Sequence, residues 1–182
     1  MPLTKPQKHV INNDARFRVL ITGRRFGKTF LAINELAKFA SQPKQKVWYV
    51  APSYRQAKQI VWNELKERLI KHKWVKKINH SDLTITLKNN SHITLRGSDN
   101  ESSLRGVGIN FLVIDEFADV SKEAWYEVLR PTLSDTKGHA LFCGSPRGFG
   151  NWSYELFKLG ESNKDWSSFK YTTLEGGQVT DD

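Results

Sequence analysis

The chain has 182 residues and a net charge of +9 from 28 Lys plus Arg against 19 Asp plus Glu, enough length for one fairly large domain and a charge balance that favours a polyanionic partner. A lone cysteine, Cys143, excludes an internal disulfide and any cysteine-cluster zinc site, and the five histidines are scattered without ligand spacing. No apolar run approaches the ~18 residues of a membrane span, and MPLTKPQKHV lacks the hydrophobic core of a secretory signal, so a soluble intracellular protein without a membrane partner is expected.

In chain order, FRVLIT (17–22) predicts a short strand, and KTFLAINELAKFA (28–40) follows with apolar residues near the helical period. KVWYVA (46–51) predicts the next strand, bounded by Pro43 and Pro52, and RQAKQIVWNELKERLIKH (55–72) an amphipathic helix. LTITLKNNSHITLRG (83–97) alternates around Asn89-Asn90-Ser91 and predicts a hairpin. NFLVID (110–115) has the near-continuous apolar character of a strand buried on both faces. SKEAWYEVLRPTL (121–133) predicts a helix opened by Ser121, HALFCGS (139–145) a buried strand, NWSYELFKLG (151–160) a helix and SSFKYTTL (167–174) a last strand. Alternation of this kind gives an α/β domain with a mostly parallel central sheet flanked by helices and an antiparallel hairpin at one edge. The domain is read as residues 1–175, with 176–182 as a linker or frayed tail.

VLITGRRFGKTFLAI (19–33) has the parts of a phosphate-binding loop: a strand, a glycine-bearing turn and a helix whose N-terminus faces an anion. It departs from G-x-x-x-x-G-K-[ST] at its first position, where Thr22 stands for glycine and Gly23 is expected to take over the turn. Thr22, Gly23, Arg24, Arg25, Phe26, Gly27, Lys28 and Thr29 form the nucleotide-binding set; Lys28 reaches the β- and γ-phosphates and the Thr29 hydroxyl ligates Mg²⁺. Taken alone, the segment also fits a basic strand-to-helix turn.

NFLVIDEFAD (110–119) supplies the second half of a site. Carboxylates at the C-terminal end of a buried parallel strand lie where open α/β sheets bind ligands. Asp115 suits a grip on Mg²⁺, and Glu116 suits orienting and deprotonating the attacking water; a helix-capping role fits Asp119 better than Asp115. In CGSPRG (143–148), Ser145 suits a γ-phosphate sensor, although composition alone favours a plain turn. In SSLRGVGI (102–109), Arg105 is either a surface arginine or one that neutralises transition-state charge. KERLIKHKWVKK (66–77), with six basic residues and one acid, is either a solvated helix face or a DNA-facing surface.

TGRRFGKT, VAPSYRQAK, SLRG, LVIDEFAD and CGSPRG, in this order and spacing, resemble the ATPase domain of the large terminase subunit of tailed bacteriophages, over nearly the whole chain. The resemblance implies a RecA-like P-loop ATPase using ATP and Mg²⁺ to thread double-stranded DNA into a procapsid. It implies a ring, usually a pentamer, docked on a portal in the cytoplasm of the infected host, with the small terminase subunit as a further partner. It also implies that Arg24 acts near the γ-phosphate, that Arg105 acts in trans between subunits, and that Gly144-Ser145-Pro146 couples hydrolysis to movement. Gln7 falls where the family places a glutamine near the adenine. Full-length members carry a nuclease domain with a cluster of metal-binding acids; none of that kind is present in this sequence, so cleavage of DNA is not expected of it. Two alternatives stand beside this reading: a helicase-like or repair ATPase of the same sheet architecture, and a non-enzymatic basic DNA-binding assembly module.

Overall fold

A computed structural model describes residues 2–176. Eight strands form one sheet: β1 (Phe17–Thr22), β2 (Lys46–Ala51), β3 (Val75–Asn79), β4 (Thr84–Leu87), β5 (His92–Gly97), β6 (Phe111–Asp115), β7 (His139–Gly144) and β8 (Trp166–Tyr171). Their order across the sheet is β3-β4-β5-β2-β6-β7-β1-β8. All pairings from β5 to β8 are parallel, and β3-β4 and β4-β5 are antiparallel.

The expected hairpin is therefore two strands of a three-stranded meander. The third, β3, has the sequence VKKIN, in which only Val75 and Ile78 are half-buried. An edge strand carrying two lysines resists pairing with another chain, and the same lysines hide it from a search for apolar alternation.

Strands buried on both faces read as apolar throughout because alternate residues serve different layers. Leu20, Tyr49, Val113, Leu141 and Cys143 enter a core beneath helix α1 (Lys5–Ile11), helix α2 (Lys28–Ala40) and the helical stretch 54–71. Val19, Val50, Leu112, Ile114 and Phe142 enter a second core with Trp125 and Leu156, under helical segments 124–132 and Trp152–Ser162. Burying each such side chain is worth about 1.5–3 kcal/mol.

Helix α1 was not expected from the sequence. Thr4 and Gln7 close a capping box over it, with Pro6 in its first turn. The stretch 54–71 runs as Tyr54–Ala57, Lys58–Trp62 and Asn63–Lys71, and its middle segment is π-helical. Ala57, Val61, Leu65 and Leu69 are fully or nearly fully buried at four-residue intervals. An ordinary α-helix would rotate such a row by about 40° per step; the wider turn lets it keep facing the sheet.

The last strand, β8, lies parallel to β1. Gly176, placed by the sequence in a linker, closes the turn Leu174–Gly176 and is buried with its Cα side against Phe26; the remainder of the expected tail, 177–182, lies outside the described residues.

Candidate nucleotide site

The site lies at the C-terminal ends of the parallel strands, with β7 between the loop strand β1 and the acidic strand β6. A cleft of about 680 Å³ is lined there by Gly23, Arg24, Arg25, Lys28, Gln56, Glu116, Asp119, Ser145, Pro146 and Arg147. Residues singled out in the loop and at the strand ends thus meet Gln56 and Arg147, which lie in the quoted segments VAPSYRQAK and CGSPRG but were not among the expected site residues.

The loop turns at Arg25 and Gly27, with φ of 61° and 88°. Gly23 does not adopt positive φ, contrary to the expectation that it takes over the turn. Its role is close approach: a Cβ there would sit 2.3 Å from the Thr173 hydroxyl oxygen. Thr22 is buried as the last residue of β1, and Gly27 is the left-handed residue that precedes α2. The aromatic ring of Phe26 is fully buried and stacks on Tyr171 at 5.5 Å, so that side chain anchors the loop from beneath.

Gln7 holds the loop from the other side. It is fully buried, its Nε2 donates to the Phe26 carbonyl at 3.1 Å, and its Oε1 accepts from the Thr4 N–H at 3.0 Å. Arg24 and Arg25 are exposed on the loop, and Thr29 stands half-buried in the first turn of α2. The Lys28 ammonium folds back, donating to the Gly23 carbonyl at 3.2 Å and the Thr22 hydroxyl at 3.4 Å. Both contacts are long for a charged donor.

Across the cleft, Asp115 is 4% exposed. Its Oδ2 accepts from the Tyr49 hydroxyl at 2.5 Å and its Oδ1 from the Glu116 N–H at 2.9 Å. Burial pushes its carboxyl above the ordinary range, against the opposing pull of those two hydrogen bonds and of Lys28. Burial also raises Tyr49, which keeps its proton to donate. Glu116 is half-buried in left-handed backbone, φ 46° and ψ 44°. Its carboxyl is raised by burial and then by Asp115, while Lys28 and Arg147 pull it down.

Asp119 does not cap the next helix. Its Oδ2 accepts from Arg147 Nη2 at 2.7 Å, and Ser121 takes the capping role, accepting from the Ala124 N–H at 3.0 Å. Gln56 comes from the SYRQA segment, where Ser53 caps the helix by accepting from the Gln56 N–H at 3.1 Å. The sequence signal for Gln56 was that segment's position after a strand; Arg147 and Tyr49 gave none, because their partners are distant in the chain.

Ser145 lies on the cleft, as expected for the end of β7. Arg105 does not. It lines a separate groove of about 400 Å³ with Glu127, Val128, Pro131 and Asp135.

Residues 19–170 match the family model described as terminase large subunit, T4likevirus-type, N-terminal. The chain belongs to the terminase large subunit family. The terminase of Escherichia phage T5 is 34% identical over 176 residues, covering 92% of this chain and 40% of that protein. The terminase of Thermus phage G20c is 26% identical over 174 residues, covering 85% and 36%. The chain therefore spans two-fifths or less of these terminases. The ATPase domain of the Thermus phage P74-26 large terminase superposes with a TM-score of 0.83 at 25% identity, covering 97% of this chain and 83% of that one. The sheet is that of a large terminase ATPase domain, with the RecA-like architecture expected from the sequence. Among the described residues, no helix of this terminase chain is long and apolar enough to cross a membrane.

Proposed function

We propose that this chain hydrolyses ATP and that the hydrolysis drives double-stranded DNA into a procapsid. The observation that carries the reading is the single cleft in which a phosphate-loop lysine, two loop arginines and Glu116 face one another. Family membership supports the packaging role.

In this reading the loop 22–29 receives the β- and γ-phosphates against Lys28 and the positive end of α2. The donor set fits Mg²⁺: a Thr29 hydroxyl beside the loop and a buried carboxylate at Asp115. Both Asp115 oxygens already accept a hydrogen bond, which suits it to hold metal-bound water. Among the described residues no cluster of three His, Cys, Asp or Glu is arranged to hold a metal unaided, so the phosphates complete the site. Mg²⁺ supplies neutralisation of the phosphate oxygens.

The Glu116 carboxylate accepts a proton from water as the water oxygen bonds to the γ-phosphorus, and the bridging oxygen leaves with ADP. Arg24 sits on the same cleft and neutralises charge that develops on the γ-phosphoryl group. Gln7 supports the adenine end through its grip on Phe26. Arg105, being off this cleft, serves the cleft of a neighbouring subunit in a ring, a pentamer by family likeness, on the portal. Ser145, at the end of the strand between the loop and the acids, passes loss of the γ-phosphate onward. The small subunit is the further partner, and the host cytoplasm the place of action.

The test measures nucleotide affinity and ATP turnover in parallel. Lys28→Ala should weaken binding and abolish turnover. Glu116→Gln should keep binding and lower turnover by roughly 10²-fold or more. Arg105→Ala should keep binding and lower turnover only in the assembled state. Unchanged turnover in both Lys28→Ala and Glu116→Gln would remove the site assignment.

A further inference from the structure

The cationic segment 66–77 does not stay on one helix face. It leaves the helical stretch at Lys71, turns through 72–74 and enters β3. That turn meets two others. The Lys88 N–H donates to the Trp74 carbonyl at 2.8 Å, and the Lys44 N–H to the Asn89 carbonyl at 3.1 Å. Asn89 Nδ2 reaches the carbonyls of Ala40, Ser41 and Gln42 at 2.8, 3.1 and 3.2 Å. The Ser91 hydroxyl donates to the Gln42 carbonyl at 2.6 Å. The turns before β2, β3 and β5 are thus fastened together, at the end of the sheet opposite the nucleotide cleft.

This corner presents Lys44, Lys71, Lys73, Lys76 and Lys88, all exposed. Among the described residues none of the five makes a salt bridge. Lys44 and Lys73 both hold φ of 59°, positions where a plain surface turn would take glycine or asparagine. Between them Trp74, 38% exposed, borders a groove of about 240 Å³ with Lys73, Leu87 and Lys88.

We infer that this three-turn corner is a contact surface for the phosphodiester backbone of double-stranded DNA. The inference rests on the reading that the chain moves DNA. Lysines without a salt bridge, on turns already fastened together, meet phosphates at no further cost in backbone ordering, and contacts to phosphate carry no sequence information. The indole offers an apolar face to the sugars between phosphates. Contact of this kind is independent of sequence, as a motor that must pass any sequence requires.

The experiment titrates a mixed-sequence DNA duplex against the chain across a salt series, by fluorescence anisotropy. The triple variant Lys44→Gln, Lys73→Gln, Lys88→Gln should flatten the slope of log affinity against log salt by about 0.9 for each lysine that meets a phosphate. Its nucleotide affinity should match the parent, showing that the fold is kept. The variant Lys137→Gln, Lys164→Gln, also exposed and at the same end of the sheet but before β7 and β8, should keep the parent slope. A triple variant with the parent slope would overturn the surface and leave the DNA reading standing. A parent chain that binds poly-glutamate as tightly as duplex, and loses both in the triple variant, would assign the corner to an acidic protein. A parent chain with no salt-dependent duplex binding would sink the DNA reading and this surface together.

Discussion

Glu116 is one of seven non-glycine residues with positive φ among the described residues. A non-glycine residue at φ 46° costs about 1–3 kcal/mol, and the surrounding core and the Asp115 hydrogen bond to its N–H hold it there. Such a residue is aimed before substrate arrives. Its carboxyl is lifted by burial and by Asp115, so it gains a proton at higher pH than a free glutamate does. With Glu116 as the proposed base, turnover is expected to decline as pH falls through that raised value. The acid limb of the pH–rate profile should therefore lie above the ~4.3 of an unperturbed glutamate. Arg147 pulls the carboxyl down, so Arg147→Ala should move the limb further up. A limb at or below the ordinary value would remove Glu116 from the role of base.

Two contacts between elements set stability and orientation. The guanidinium of Arg18 on β1 makes a two-pronged pair with Glu35 on α2, both buried, and its Nη1 also donates to the Val10 carbonyl at 2.8 Å. Removing one partner strands a buried charge, so Arg18→Met should lose about 3–5 kcal/mol in a denaturant titration. The double variant Arg18→Met, Glu35→Leu should recover most of that, because the pair's attraction offsets its desolvation only partly. The π-helical segment Lys58–Trp62 sets the phase of the helix Asn63–Lys71. A π-turn holds one residue more than an α-turn, so deleting one residue within 58–62 should let the stretch close as ordinary α-helix with Leu65 and Leu69 still facing the core, and thermal stability should be largely kept. A large loss of thermal stability in that deletion would show that the π-turn itself is needed to seat 63–71.

At the scale of the whole molecule, the sheet separates nucleotide and cationic surfaces, and the stretch 54–71 runs from one end to the other. Much of this was legible in the chain. NFLVID announced a strand buried on both faces because both cores draw on it, and the loop and acids were legible because their chemistry is local. The strand β3 was hidden by its lysines, and α1 is too short for periodicity to show despite its capping residues. The Arg147–Asp119 pair and the Tyr49–Asp115 hydrogen bond are products of strand order, which no local pattern encodes. Strand order also explains why Gly23 had its reason in Thr173, a residue 150 positions away along the chain.

The bond from Gln7 to the Phe26 carbonyl has a reciprocal meaning. Whatever steadies the loop must steady α1 by the same free energy, since linkage runs in both directions. By that linkage α1 is expected to report on occupancy of a cleft it does not line. Amide hydrogens of α1 should exchange more slowly when nucleotide is bound, and Gln7→Ala should uncouple that protection from binding. Equal exchange with and without nucleotide would mean that the loop is held from beneath by Phe26 and Tyr171 alone.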